Sequence, residues 1–145
     1  MLDFDKRVSL CSWNTNSLHS KVLGDKSKTV DFKNIVNKHD FIIITETWTD
    51  NIPQLEGYCS LAIFAYKYQT KNECGRYSGG VSFLYREKYR NYVKLVRSSN
   101  SYNWCRISSR ILGKHKDLFV EYILLVEYIF QQKILIILRL KFFIN

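Results

Sequence analysis

The sequence predicts an α/β fold, and three observations support that prediction. A strand-like segment at residues 7–13 runs directly into Asn14, and an apolar segment at 41–45 runs directly into Glu46. The stretch between the two segments is long enough for a helix. Asn14 and Glu46 carry side chains that can bind a metal ion or a phosphate, and α/β proteins build sites at the carboxyl ends of their strands. The two segments therefore predict a cation site at one edge of a sheet.

The first strand and the loop after it follow from local pattern. Residues 7–13 alternate enough to form a strand, with Val8 and Leu10 on one face. Residues 17–27 are polar and include Gly24, which is typical of a loop.

A helix follows the loop. Ser27 or Thr29 can cap its amino terminus, and the pattern continues to about Lys38. The i, i+3, i+4 spacing of its apolar residues predicts a buried stripe made of Phe32, Ile35 and Val36.

The remaining segments predict a sheet-rich chain. Residues 41–45 have no polar alternation, which is typical of a central strand covered on both faces. Turns are predicted at 50–53 and 114–117. Further strands are predicted at 58–68, 81–85, 92–97, 104–111 and 118–120.

Composition indicates a globular protein with an affinity for polyanions. The 145 residues are 46% hydrophobic and 24% charged, which favours one packed core over disorder. The formal net charge of +9 favours a polyanionic partner such as nucleic acid. A lysine-rich composition inherited from an AT-rich genome explains the charge equally well.

Cysteine usage and hydropathy predict an intracellular protein, nuclear or cytoplasmic. The cysteines form no C-x-x-C pair and have no histidine at zinc spacing, so we interpret them as free thiols in a reducing compartment: Cys11, Cys59, Cys74 and Cys105. The first seven residues lack the apolar region of a signal peptide. Charged residues interrupt the apolar carboxyl-terminal part before it reaches the roughly 20 residues of a transmembrane helix.

Three motifs, in order, resemble those of the endonuclease/exonuclease/phosphatase superfamily. They are Ser12–Leu18 (S-W-N-T-N-S-L), Phe41–Trp48 (F-I-I-I-T-E-T-W) and Gly75–Val81 (G-R-Y-S-G-G-V). The closest likeness is to the apurinic-type endonuclease domain of non-LTR (LINE-like) retrotransposons, over roughly residues 7–120. The resemblance implies the N-terminal half of a four-layer α/β sandwich, in which two mixed β-sheets lie between outer helices, and implies that the domain is incomplete.

The resemblance also assigns roles to particular residues. It makes Glu46 a ligand for Mg²⁺ or Mn²⁺, where the alternative is a solvated acid at the start of a loop. It makes Asn14 the catalytic residue that positions the scissile phosphate. Asn16 is either a further metal-side residue or a turn former after the strand. No organic cofactor site is implied. DNA is the implied partner, and neither a membrane nor a specific protein partner is expected.

Later motifs of the resembled family do not occur in these residues. Relatives carry V-Y-x-P, Asp-x-Asn and Ser-Asp-His, and none of the three is present. His115 lies in Lys-His-Lys and is not assigned the role of the family's essential histidine. We interpret His19 and His39 as surface residues, and Arg76 as a solvated loop cation. The prediction is family membership without useful activity.

We interpret residues 1–120 as a partial domain and 121–145 as an aberrant hydrophobic tail. The tail is rich in Ile and Leu and contains neither Gly nor Pro. One set of synonymous codons for Val126–Ile134, read in a shifted frame, encodes G-V-Y-I-P-T-E-N, which contains the missing V-Y-x-P. This indicates a frameshift near residues 120–126. An amphipathic helix on a membrane or partner is the alternative.

Two other functions stay open at this stage. One is a basic nucleic-acid-binding remnant without catalysis. The other is a fragment of a phosphoinositide or sphingolipid phosphoesterase of the same superfamily.

Overall fold

Two four-stranded sheets form the framework of the part of the chain that the computed structural model describes, which comprises residues 8–20, 22, 24–51, 54–63, 65–67, 77–99, 102–112, 117–127 and 133–142. In chain order the strands are β1 (Leu10–Asn14), β2 (His19–Ser20), β3 (Gly24–Asp25), β4 (Phe41–Thr45), β5 (Tyr58–Ile63), β6 (Tyr66–Lys67), β7 (Tyr77–Ser78), β8 (Val81–Arg86), β9 (Val93–Ser98), β10 (Tyr102–Ile107), β11 (Leu118–Glu127) and β12 (Lys133–Phe142). The helices are α1 (Val30–Val36) and α2 (Ser109–Leu112), with 3-10 turns at Lys26–Lys28 and Glu87–Tyr92.

The first sheet is mixed and has the strand order β1-β4-β8-β5. β1 and β4 run parallel, in a register that places Leu10 opposite Phe41 and Asn14 opposite Thr45, while β8 is antiparallel to both β4 and β5. Residues 41–44 of β4 are buried on both faces, which confirms the predicted central strand. Ile42 and Ile44 pack on the helix side and Phe41 on the other.

Helix α1 covers the outer face of this sheet. The Thr29 hydroxyl accepts a hydrogen bond from the Phe32 N–H, so Thr29 is the amino-terminal cap. Phe32 and Val36 are buried, but Ile35 is 40% exposed, so the predicted stripe is one residue too wide. The helix also ends at Val36, two residues before the predicted boundary.

The second sheet packs against the opposite face of the first. Its order is β12-β11-β10-β9, and its described strands are antiparallel throughout. The buried cluster between the sheets contains Phe83 from the first sheet and Cys105, Ile107 and Val120 from the second. The layers are therefore helix, sheet and sheet, which confirms the α/β fold class.

The predicted strand at 104–111 is wrong in its second half. β10 ends at Ile107, and residues 109–112 form the short helix α2. The Asp117 carboxylate accepts a hydrogen bond of 2.7 Å from the Ser109 N–H, which stabilises the start of this turn. Ile111 is 5% exposed and packs into the inter-sheet core, so burial favours the helical turn over an extended chain.

Strands continue into the segment interpreted as an aberrant tail. β11 pairs with β12 over ten residue pairs, from Leu118 opposite Phe142 to Glu127 opposite Lys133. The alternative of an amphipathic helix is therefore wrong for the described part, 121–127 and 133–142. The boundary at residue 120 and the frameshift stay predictions. In the described segments, no helix has the length and apolarity needed to cross a membrane.

The Asp40 carboxylate binds several residues at the end of the first sheet opposite Glu46. Its Oδ2 accepts from the Ser9 N–H (3.1 Å) and hydroxyl (3.2 Å), and its Oδ1 lies 3.2 Å from the Tyr89 hydroxyl and 3.6 Å from Lys88 Nζ. Burial by itself would raise the pKa of Asp40, but the Ser9 hydrogen bonds and the Lys88 charge outweigh it, and the pKa lies below its ordinary value.

The described cysteines are free thiols, as predicted: Cys11, Cys59 and Cys105. Cys105 is fully buried in β10, where it packs as a small hydrophobic residue. Cys74 lies outside the described residues.

Candidate functional site

Asn14 and Glu46 lie at the same edge of the first sheet. Because β1 and β4 are parallel neighbours and Asn14 is the register partner of Thr45, the two chains leave the sheet side by side. Asn14 is exposed and Glu46 is half-buried. The structure thus brings to one edge of the sheet the two residues that the sequence placed there, while their roles stay predictions.

Backbone hydrogen bonds join the loop after β1 to the loop after β4. The Thr15 hydroxyl adds bonds to the carbonyls of Thr45 (3.2 Å) and Glu46 (3.3 Å). The backbone donors and acceptors are Thr15 N to Thr45 O (3.1 Å), Ser17 N to Glu46 O (2.7 Å) and Leu18 N to Thr47 O (2.9 Å). Thr15, Ser17 and Leu18 are buried, so the two loops form one unit rather than two independent tips.

This unit also contains all the residues other than glycine that have a positive φ in the described part of the chain. They are Asn16 (47°), Ser17 (76°), Glu46 (55°) and Trp48 (51°). Each such residue costs on the order of 1–3 kcal/mol and persists only where surrounding contacts hold it. Backbone strain of this kind concentrates at functional sites, which supports a functional role for the edge.

The donor set of the unit fits a hard divalent cation that keeps much of its water. One oxygen of Glu46, Oε2, accepts a hydrogen bond of 2.7 Å from the Trp48 indole, and a carboxylate has about four lone-pair sites, so binding capacity remains. Mg²⁺ commonly binds through one or two carboxylates and several waters. No group of three His, Cys, Asp or Glu side chains that could hold a metal occurs among the described residues. A cation here would therefore depend on Glu46, amide oxygens and water.

The two asparagines differ in how they are held. Asn14 Oδ1 accepts a hydrogen bond of 2.9 Å from the Asn16 N–H, which fixes the Asn14 side chain and leaves its NH₂ group available as a donor. The same bond makes a turn of residues 14–16, so the turn-forming interpretation of these asparagines is correct in geometry. Asn16 is exposed, and its side chain remains a candidate metal-side donor.

Lys26 stabilises the loop that follows β1. Its ammonium group donates to the carbonyls of Thr15 (3.2 Å) and Asn16 (3.4 Å). It therefore stabilises the loop and places a positive charge at the carbonyls of Thr15 and Asn16. The sequence gives no signal for Lys26, because nothing in its polar surroundings distinguishes it from a solvated lysine.

Two histidines, His19 and His39, lie in the described part of the chain, and neither belongs to residues 14–17 or 46–48. His19 is exposed, as predicted, and lines a cavity of about 200 Å³ with Asp25 and Lys28. His39 is a correction to its surface assignment, because it is partly buried and its Nδ1 is buried without a hydrogen-bond partner. It follows the end of α1 after Asn37 and Lys38, and its carbonyl accepts a hydrogen bond of 2.9 Å from the hydroxyl of Tyr58, the first residue of β5. His115 and Arg76 lie outside the described residues.

The glycine pair Gly79–Gly80 contacts the loop that carries Glu46. A Cβ atom at Gly80 would lie 2.2 Å from Thr47 Oγ1, and Gly80 has a φ of +89°. Thr47 N and Trp48 N donate to the carbonyls of Gly80 (3.3 Å) and Gly79 (2.8 Å). In the sequence these glycines are visible only as part of the Gly75–Val81 motif, and their close approach to the site is not predicted by it.

The fold and the site define an α/β protein with a cation-compatible edge at the carboxyl ends of two parallel strands. Residues 11–132 match the Endonuclease/Exonuclease/phosphatase family, and the chain belongs to that family. Its members are of nuclease and phosphoesterase type and generally use a divalent metal. Comparison with curated proteins and with solved structures finds no significant match.

Proposed function

We propose that residues 14–17 and 46–48 form the metal-binding and phosphate-binding half of a phosphodiesterase site of the DNA endonuclease type. The observation that supports this is the placement of Asn14 and Glu46 at the adjoining ends of two parallel strands. Family membership supplies the reaction class, which is hydrolysis of a phosphate ester.

In this proposal each residue has a separate task. Glu46 holds a Mg²⁺ or Mn²⁺ ion, which when bound polarises the phosphate and stabilises the leaving oxygen. The Asn14 amide donates to a phosphate oxygen, and its orientation is fixed by the Asn16 N–H. Lys26 adds positive charge behind the loop.

We further propose that these 145 residues alone hydrolyse DNA very slowly. The family's Asp-x-Asn and Ser-Asp-His motifs do not occur in the sequence, and the general base belongs to the second of them. Loss of a general base costs roughly 10²–10⁴ in rate. Activity is therefore a poor first readout, and metal binding is a better one.

We propose that the domain derives from a non-LTR retrotransposon and that its substrate is DNA. The E-T-W motif followed by the Gly-Gly-Val strand supports that subtype, and the net charge of +9 supports a polyanion. The same charge favours the second candidate, a nucleic-acid-binding protein without catalysis. The phosphoinositide or sphingolipid alternative is supported only by the breadth of the family.

Mn²⁺ binding to Glu46 tests the proposal. Free Mn²⁺ is measured by electron paramagnetic resonance in titrations of the wild-type chain, of Glu46→Gln and of Glu56→Gln. Glu56 is an exposed carboxylate before β5 and serves as the matched control. We expect Glu46→Gln to abolish the tightest binding and Glu56→Gln to leave it unchanged. Equal binding by all three proteins would contradict the proposed site.

A second experiment separates catalysis from binding. Supercoiled plasmid is incubated with Mg²⁺ and the purified chain, and DNA affinity is measured across a salt series. Nicking that disappears in Glu46→Ala would show an active enzyme and would refute the proposed inactivity. Salt-dependent binding that is equal in wild type and Glu46→Ala, without nicking or metal binding, would favour the second candidate.

A further inference from the structure

A hydrogen bond joins the indole of Trp48 to the carboxylate of Glu46. Trp48 Nε1 lies 2.7 Å from Glu46 Oε2, which is a short distance for a bond between a neutral N–H and a carboxylate. Both residues have a positive φ, 55° at Glu46 and 51° at Trp48. Two strained backbone positions therefore bring one donor and one acceptor together at the edge of the sheet.

We propose that Trp48 is a positioning residue that fixes the Glu46 carboxylate in the orientation that binds the cation. This inference rests on the proposed role of Glu46 as the metal ligand. It assigns to Trp48 a task that acts through Glu46 and involves no contact with the metal or the substrate.

The chemistry of the indole suits this task. The Trp side chain offers one N–H donor and no acceptor, so it cannot itself bind a hard cation in place of Glu46. It is also neutral, so the carboxylate keeps its full negative charge. A lysine or arginine in the same place would hold Glu46 as well, but would repel a divalent ion. Hydrogen bonds of this kind to ligating carboxylates are typically worth 10–100-fold in metal affinity.

Trp48 is itself held by the glycine pair before β8. Trp48 N donates to Gly79 O (2.8 Å), and Thr47 N donates to Gly80 O (3.3 Å). Thr47 is 2% exposed and packs so closely on Gly80 that a Cβ there would clash with its hydroxyl oxygen. Gly79 and Gly80 are thus connected to Glu46 through Thr47 and Trp48. The glycine pair would therefore help to hold Trp48 in place beside Glu46.

Mn²⁺ affinity of Trp48 variants tests the inference. Trp48→Phe removes the N–H and keeps an aromatic ring, while Trp48→Gln replaces the ring with a side chain that can still donate. We expect Trp48→Phe to weaken Mn²⁺ binding about 10–100-fold, and Trp48→Gln to recover part of that loss. Trp104→Phe, in the second sheet, is the matched control and should bind as wild type does.

A second measurement keeps Trp48 in place, in case its substitution disturbs folding. The chain has three tryptophans, so a ¹⁵N-labelled sample gives three indole N–H resonances. In the absence of metal, Glu46→Ala should shift one of them strongly upfield, because that proton loses its carboxylate acceptor. Glu56→Gln should shift none.

The outcomes separate the inference from the proposed function. If Trp48→Phe binds Mn²⁺ as wild type does while Glu46→Gln does not bind, the positioning role is refuted and the metal site stands. If Glu46→Gln also binds normally, the metal site is refuted, and the positioning role is refuted with it. An indole spectrum unchanged by Glu46→Ala would refute the hydrogen bond itself.

Discussion

Substitution of Gly80 by Ala should destabilise the protein through two separable effects. A side chain at a positive φ costs about 1–2 kcal/mol, and Gly80 has a φ of +89°. In addition, the new Cβ would lie 2.2 Å from Thr47 Oγ1 and 3.3 Å from Ala65 Cβ, where Thr47 is 2% exposed and has little room to move. Overpacking of this kind typically costs about 1–3 kcal/mol. The expected total loss in the free energy of unfolding is about 2–5 kcal/mol.

Gly57 provides a matched control for the first effect. Its φ is +78°, and a Cβ there would meet nothing within 4 Å. Gly57→Ala should therefore cost only the backbone term, about 1–2 kcal/mol. Urea denaturation, followed by circular dichroism, measures both substitutions.

Removal of the clashing atom isolates the second effect. In a Thr47→Ala background, Gly80→Ala should cost about as much as Gly57→Ala, because the atom that it would strike has gone. Equal losses for Gly80→Ala and Gly57→Ala in the wild-type background would refute the close approach of Gly80 to Thr47. So would a Gly80→Ala loss that is unchanged by Thr47→Ala.

Three further predictions concern other parts of the described structure. Asp40→Asn should lower the free energy of unfolding at pH 7 by about 1–2 kcal/mol, because the charge-assisted bonds from Ser9 are weakened. Since folding lowers the pKa of Asp40, the stability that its carboxylate contributes is complete above about pH 4 and is lost as the pH falls through the folded-state pKa. The difference in unfolding free energy between wild type and Asp40→Asn, measured in urea melts, should therefore disappear in acid, and a difference independent of pH would contradict this. Tyr58→Phe should cost about 1 kcal/mol in the same assay, because the hydroxyl lies 2.8 Å from Val36 O at the end of α1, and an unchanged midpoint would contradict that role. Val96→Lys should reduce aggregation measured by light scattering, because Val96 is 47% exposed on the edge strand β9, and unchanged aggregation would show that this edge is not responsible.

Local chemistry made some elements predictable from sequence. β4 lacks polar alternation because it is covered by α1 on one side and by the second sheet on the other, and that pattern is visible in residues 41–44. The Thr29 cap depends on a hydroxyl three residues before Phe32, which is a local relation. The neighbouring ends of β1 and β4 followed from two strands with a helix between them, and this is why Asn14 and Glu46 were placed together.

The features that escaped prediction depend on contacts between distant residues. Ile35 has the spacing of a buried residue, but the sheet face beneath α1 is filled by Phe32 and Val36. The helical turn α2 is stabilised by a hydrogen bond to Asp117, which lies eight residues after Ser109, and no pattern within residues 104–111 reveals that partner.

The support of the site is non-local in the same way. Lys26 lies ten or more residues from the carbonyls that it binds, and Gly80 is far in sequence from Thr47. Trp48 was within the E-T-W motif, but its hydrogen bond to Glu46 depends on a backbone φ that only the folded chain defines.

Paramagnetic broadening by Mn²⁺ tests most directly whether the two strand ends share a cation. In a ¹H–¹⁵N spectrum, substoichiometric Mn²⁺ should broaden first the amide signals of residues 14–17 and 46–48 together with the side-chain NH₂ of Asn14. Glu46→Gln should abolish this selectivity. Broadening centred on other acidic residues such as Asp25 or Glu56, or selective broadening that persists in Glu46→Gln, would contradict a metal site at the joined ends of β1 and β4.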